Sequence, residues 1–112
     1  MTIEKKDYNK LVRDRIPEII KNKNEQCDYR IIVDNQEFEL ELKKKIVEES
    51  TELLNAESDN IPGEIVDILE LIDTLIKTKK LNKDDILKLQ QQKREERGGY
   101  EEKIFLKWSS YK

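Results

Sequence analysis

Over most of this chain, apolar residues recur at helical rather than alternating intervals. Between residues 34 and 57, Phe38, Leu42, Ile46, Leu53 and Ala56 fall on one face of a helical wheel. Between 61 and 79, Ile61, Ile65, Ile68, Leu71, Ile72 and Leu75 do the same. Both spans predict long amphipathic helices. Asp34 followed by Glu37 resembles a capping box at the start of the first. Ser58-Asp59-Asn60 reads as a turn, and Pro62 opens the second helix at a position where its missing N–H costs nothing. Asn82 caps a third helix over 83–97, which Gly98-Gly99 stops. A short helix is expected from Arg15 to Asn24, with Asp14 as its N-cap and Pro17 in its first turn. Two stretches are β-branched and aromatic instead. Residues 27–33 (Cys-Asp-Tyr-Arg-Ile-Ile-Val) predict one strand, and residues 103–108 (Lys-Ile-Phe-Leu-Lys-Trp) predict another. The expected fold is mainly α: a single domain over 1–112 with a helical bundle core and a two-stranded ribbon pairing 28–33 with 103–108.

Polar residues interrupt the two long apolar stripes in the same way. Glu49 lies inside the first stripe, and Glu52 lies on its edge near Lys45, with Glu48 farther out. Glu64 lies inside the second stripe and Asp67 on its edge. Each helix thus sets one carboxylate in its core-facing stripe and another three residues on, a spacing that stacks side chains on one face. A short turn makes the two helices antiparallel neighbours, so Glu49, Glu52, Glu64 and Asp67 can converge. Four like charges cannot be buried together uncompensated. Protonation is one remedy. A divalent cation is the other, and carboxylates with water are the ligands Mg²⁺ prefers. The plainer alternative is that Glu49 pairs with Lys45 from the lysine run at 43–45.

Composition narrows the chemistry. Of the 112 residues, 42% are charged, a level that raises the question of disorder, yet Leu, Ile, Val and Phe supply 32 of them, enough for a folded core. The net charge of −3 is segregated. Residues 1–24 carry +3, residues 34–73 carry −10, and residues 74–112 carry +5. The chain has no histidine, which excludes Ser-His-Asp and Cys-His triads and histidine-containing zinc sites. A single cysteine, Cys27, can form no internal disulfide and reads as packing, which suits a reducing cytosol. No apolar run spans a membrane, and Met-Thr-Ile-Glu-Lys-Lys-Asp is no signal peptide. Catalysis by this chain therefore rests on carboxylates, Lys or Arg, or oxygen-bound metal. Tyr8, Tyr100 and Trp108 read as packing residues rather than platforms for a base.

Glu48-Glu49-Ser50-Thr51-Glu52, then eleven residues, then Glu64-Ile65-Val66-Asp67 resembles the paired acidic motifs of MazG-like, all-α nucleoside triphosphate pyrophosphohydrolases. Lys10-Leu11-Val12-Arg13-Asp14-Arg15-Ile16-Pro17-Glu18-Ile19-Ile20 resembles the opening of a small branch akin to phosphoribosyl-ATP pyrophosphohydrolase. Lys93-Arg94-Glu95-Glu96-Arg97-Gly98-Gly99-Tyr100 resembles its ending, where Phe often stands in place of Tyr100. The gap between the acidic motifs is short for the superfamily and leaves little room for a substrate-recognition segment. The resemblance implies a MazG-like bundle and Mg²⁺, with Mn²⁺ as an alternative, held by Glu49, Glu52, Glu64 and Asp67. It implies hydrolysis of a nucleotide triphosphate, or a phosphoribosyl-ATP-like nucleotide, to the monophosphate and pyrophosphate, clearing unwanted nucleotides. It also implies a homodimer or higher oligomer in the cytoplasm. One carboxylate among Glu48, Glu49 and Glu52 would orient the attacking water. Lys10 and Arg13 from one basic end, and Lys93 and Arg94 from the other, are the candidate phosphate contacts. The rival class is a non-catalytic helical interaction module, phage- or antitoxin-like, that keeps the fold. Nucleic-acid binding is disfavoured by the acidic middle, since backbone phosphates want a continuous basic surface.

Overall fold

A computed structural model describes residues 4–111 of the chain. It is mainly helical: α1 (Ile16–Asn22), α2 (Asn35–Asn55), α3 (Ile61–Thr78) and α4 (Lys83–Arg97), with a single 3₁₀ turn, Ser58–Asn60, between α2 and α3. The described residues gather into two compact units, one ending at Lys79 and the other beginning at Lys80. Among the described residues, no helix is long and apolar enough to cross a membrane.

The first unit is built on the pair α2 and α3, which pack along each other. Lys79, just past the end of α3, reaches Glu39 in the second turn of α2 at 2.7 Å, so the two helices run antiparallel. Asp34 caps α2 by accepting from the Gln36 amide at 3.1 Å. The capping box does not close. Glu37 instead takes both arms of the Arg30 guanidinium, at 3.0 and 2.5 Å, because a charge-assisted bidentate pair outcompetes a neutral amide for the carboxylate. Pro62 sits in the first turn of α3 as its ring requires. Leu42 is the one fully buried apolar side chain among the described residues, and the only other buried residue there is Glu49. Phe38, Ile46, Leu53, Ile68, Leu71 and Leu75 are half-buried around them. The hairpin also carries an uncovered apolar flank. Leu40, Val47 and Leu54 on α2, and Ile65, Leu69 and Ile72 on α3, are all exposed. By helical periodicity both rows fall on the flank opposite Glu52 and Asp67.

The N-terminal part of this unit differs from expectation in detail. α1 begins at Ile16 with Arg15 as its cap residue and no side-chain cap, so Asp14 does not serve. It ends at Asn22, and the chain turns out through Asn24 at φ 59°, a left-handed conformation asparagine tolerates. In the second unit α4 follows the sequence closely. Asn82 accepts from the amides of Asp84 and Asp85 at 2.8 and 3.2 Å, and Gly98, at φ 83°, terminates the helix.

The expected ribbon does not form: no strand occurs among the described residues, and 28–33 and 103–108 are both irregular. A strand exists only by pairing its backbone with another. Both segments leave most of their side chains in solvent, with Val33 90% and Phe105 88% exposed and Ile32 alone half-buried among them. Cys27, Tyr8, Tyr100 and Trp108 are exposed as well, so none is the packing residue its type suggested.

Because so few apolar groups are sequestered, Leu42 should dominate the stability of the first unit. Leu42→Ala should cost about 2–5 kcal/mol, whereas Val33→Ala should change stability by no more than about 0.5 kcal/mol. Urea denaturation of the two variants beside the unaltered chain checks this.

Candidate functional site

The antiparallel pairing of α2 and α3 sets Glu49 against the first two turns of α3. Glu49, Glu64 and Asp67 each bring a carboxylate oxygen within 4.8 Å of the other two. Glu49 is 7% exposed, and Glu64 and Asp67 are half-buried. One oxygen of Glu49 and one of Glu64, the Oε2 in each case, are sealed from solvent and accept no hydrogen bond. Two buried carboxylate oxygens without a donor are costly to leave as they are. They call for a proton or a cation. The donor set is oxygen only and anionic, which suits a hard divalent ion such as Mg²⁺ rather than a soft one.

Glu52, one turn beyond Glu49, is exposed and lies outside this triad. It still acts on Glu49. Burial first, then the neighbouring Glu52 carboxylate, push the Glu49 carboxyl from 4.5 up to about 7. The two side chains can share a hydrogen bond only when one of them is protonated. Lys45 opposes the shift, at 3.7 Å from Glu49, and Asp67 adds to it. The plainer pairing of Glu49 with Lys45 is thus present but long. Lys45 lies closer to Glu48, at 2.9 Å.

Glu48 turns to the lysines instead of the cluster. It accepts from Lys10 and is paired with Lys45, and these two ammonium groups hold its carboxyl below the usual range. Reciprocally, the bond to Glu48 raises Lys10. Three residues after Lys10, Arg13 donates through Nη2 to Asp67 Oδ1 at 2.6 Å. The segment before α1 therefore sets one cation on Glu48 and another on Asp67. Lys10 and Arg13 were legible as basic candidates, but their direct engagement of the acidic motifs was not. The hint was the charge segregation, with a basic start preceding the acidic middle. Lys93 and Arg94 lie on α4 in the second unit, where Lys93 is exposed and Arg94 pairs with Glu101 at 2.7 Å.

The raised Glu49 carboxyl ties the stability of the fold to pH. The folded state holds this proton more tightly than the unfolded chain does. The resulting stability, on the order of 3 kcal/mol, is fully present below about pH 4.5 and is lost as pH rises through about 7. Without divalent metal, Glu49→Gln should remove that part of the slope and leave the variant more stable than the unaltered chain at about pH 8. Urea titrations in EDTA across this range would show it, and a variant less stable at every pH would contradict the assignment.

No protein-family model, curated protein or solved structure matches this chain; what it can do is carried by these side chains and their geometry.

Proposed function

We propose that this chain is a Mg²⁺-dependent nucleoside triphosphate pyrophosphohydrolase of MazG-like kind, acting in the cytoplasm. The observation that carries the reading is the convergence of Glu49, Glu64 and Asp67 with two sealed carboxylate oxygens left unpartnered. These three residues would hold the cation, with Glu52 at the solvent margin of the same face; Mn²⁺ would serve in place of Mg²⁺. When bound, the cation supplies neutralisation of phosphate charge and acidification of a water. Hydrolysis of a phosphoric anhydride asks little covalent chemistry of a protein beyond positioning and charge stabilisation. Of the other carboxylates, Glu52 is the better proton acceptor for the attacking water, because it is exposed beside the triad. Glu48 is committed to two lysines. Lys10 and Arg13 are the phosphate contacts available within the same unit.

The reading is tested by pyrophosphate release from a panel of canonical and modified nucleotides, with Mg²⁺ and with EDTA. Release should require the metal and should favour one nucleotide. Glu64→Gln should lower turnover at least about a hundredfold while the protein stays folded, since the ligand's negative charge and one of its two oxygens are lost. Turnover unchanged in Glu64→Gln would remove the triad from the chemistry.

A homodimer belongs to the same reading. The exposed rows Leu40, Val47, Leu54 and Ile65, Leu69, Ile72 form one apolar flank on a unit with a minimal core, and a second hairpin laid on it would complete a four-helix core. Sedimentation should find a dimer, and Val47→Glu with Leu69→Glu should dissociate it. The same flank favours the rival reading, a non-catalytic interaction module. A folded dimer that releases no pyrophosphate from any nucleotide would decide for that module.

A further inference from the structure

We infer that Arg13 is the resident counter-ion of the carboxylate cluster: its guanidinium leaves Asp67 when a divalent cation binds there and then holds the anionic phosphate ligand. This latch rests on the metal reading above and names how occupancy of that centre would be coupled to its ligand.

Asp67 is the member of the triad held in a short ion pair, whereas Glu49 has Lys45 only at 3.7 Å. Its Oδ1 accepts from Arg13 at 2.6 Å, while Glu49 and Glu64 each keep a sealed oxygen without a donor. A cation drawn to those two oxygens meets Arg13 at the third ligand. Lys10 does not compete in this way, because its partner Glu48 lies outside the triad.

The pair is built to exchange. The Arg13 side chain is 55% exposed and that of Asp67 39%, so water screens the bond and its net strength is small. The root of the side chain is held more firmly than its tip. Leu11 is half-buried, Lys10 is tied to Glu48, and the Arg13 carbonyl accepts from the Ile16 amide at 3.1 Å. Release from Asp67 would therefore leave the guanidinium tethered within a side chain's length of the cluster. A tethered planar guanidinium is a bidentate partner for phosphate oxygens. Arg15, two residues on, provides a contrast within the same segment: it pairs with Glu18 of α1 at 3.2 Å.

The test measures metal binding rather than turnover. Mn²⁺ is titrated calorimetrically into the unaltered chain, Arg13→Gln and Arg15→Gln, with and without inorganic pyrophosphate. Arg13→Gln should bind Mn²⁺ alone about two- to five-fold more tightly, the ratio expected for removing an exposed ion-pair competitor. Pyrophosphate should tighten Mn²⁺ binding in the unaltered chain and in Arg15→Gln, and much less in Arg13→Gln. A readout needing no variant is the Arg13 Nε–H resonance, which should shift on Mg²⁺ addition while that of Arg15 stays in place. Equal or weaker Mn²⁺ binding by Arg13→Gln, or an undiminished pyrophosphate effect in that variant, overturns the latch and leaves the metal centre standing. No Mn²⁺ binding by the unaltered chain overturns both.

Discussion

The placement of the Glu49 carboxylate between α2 and α3 is the constraint on which the first unit turns. Glu49 and Leu42 are the two buried side chains among the described residues, and they lie two turns apart on the same face of α2. One supplies apolar burial, and the other introduces a charge where α3 presents Glu64 and Asp67. Desolvation and the like charge of Glu52 oppose ionisation of Glu49, and Lys45 at 3.7 Å only partly offsets them. Packing the hairpin and satisfying its carboxylates are therefore coupled problems. Whatever satisfies Glu49 and Glu64, a proton or a cation, also holds the two helices together.

The N-terminal segment extends this coupling. Lys10 engages the leading glutamate of the α2 motif, and Arg13 engages the last aspartate of the α3 motif. Both pairs are partly exposed, so their contribution to stability is modest. Their effect is rather on where positive charge sits when the cluster is free of metal. A basic segment packed beside an acidic cluster offsets part of its charge, and under the proposed function the same two cations are the ones within reach of an anionic ligand.

Much of this was legible in the sequence, for reasons that differ by element. The long helices follow from apolar periodicity sustained over several turns. The start of α4 follows from Asn82 and its end from Gly98. Glu49 and Glu64 meet because a polar residue inside an apolar stripe is forced inward by the residues around it; Asp67, on the edge of its stripe, joins them without that constraint. Glu52, on the stripe's edge, is not forced in the same way, and it lies outside the triad. The strands failed because residues 28–33 and 103–108 have the composition of a strand, while a strand also needs a partner that composition does not supply. The closures of Lys10 on Glu48 and Arg13 on Asp67 bridge more than thirty residues of sequence, and no local pattern encodes them.

We propose that the sealed oxygens of Glu49 and Glu64, with Asp67, form a divalent-cation site. The most direct test is a crystal of the chain soaked in Mn²⁺, with anomalous diffraction recorded near the manganese edge. A divalent-cation site here gives an anomalous peak at coordination distance from all three carboxylates, with Arg13 turned away from Asp67. Manganese bound elsewhere, with Glu49 protonated and closed against Glu52, would contradict it.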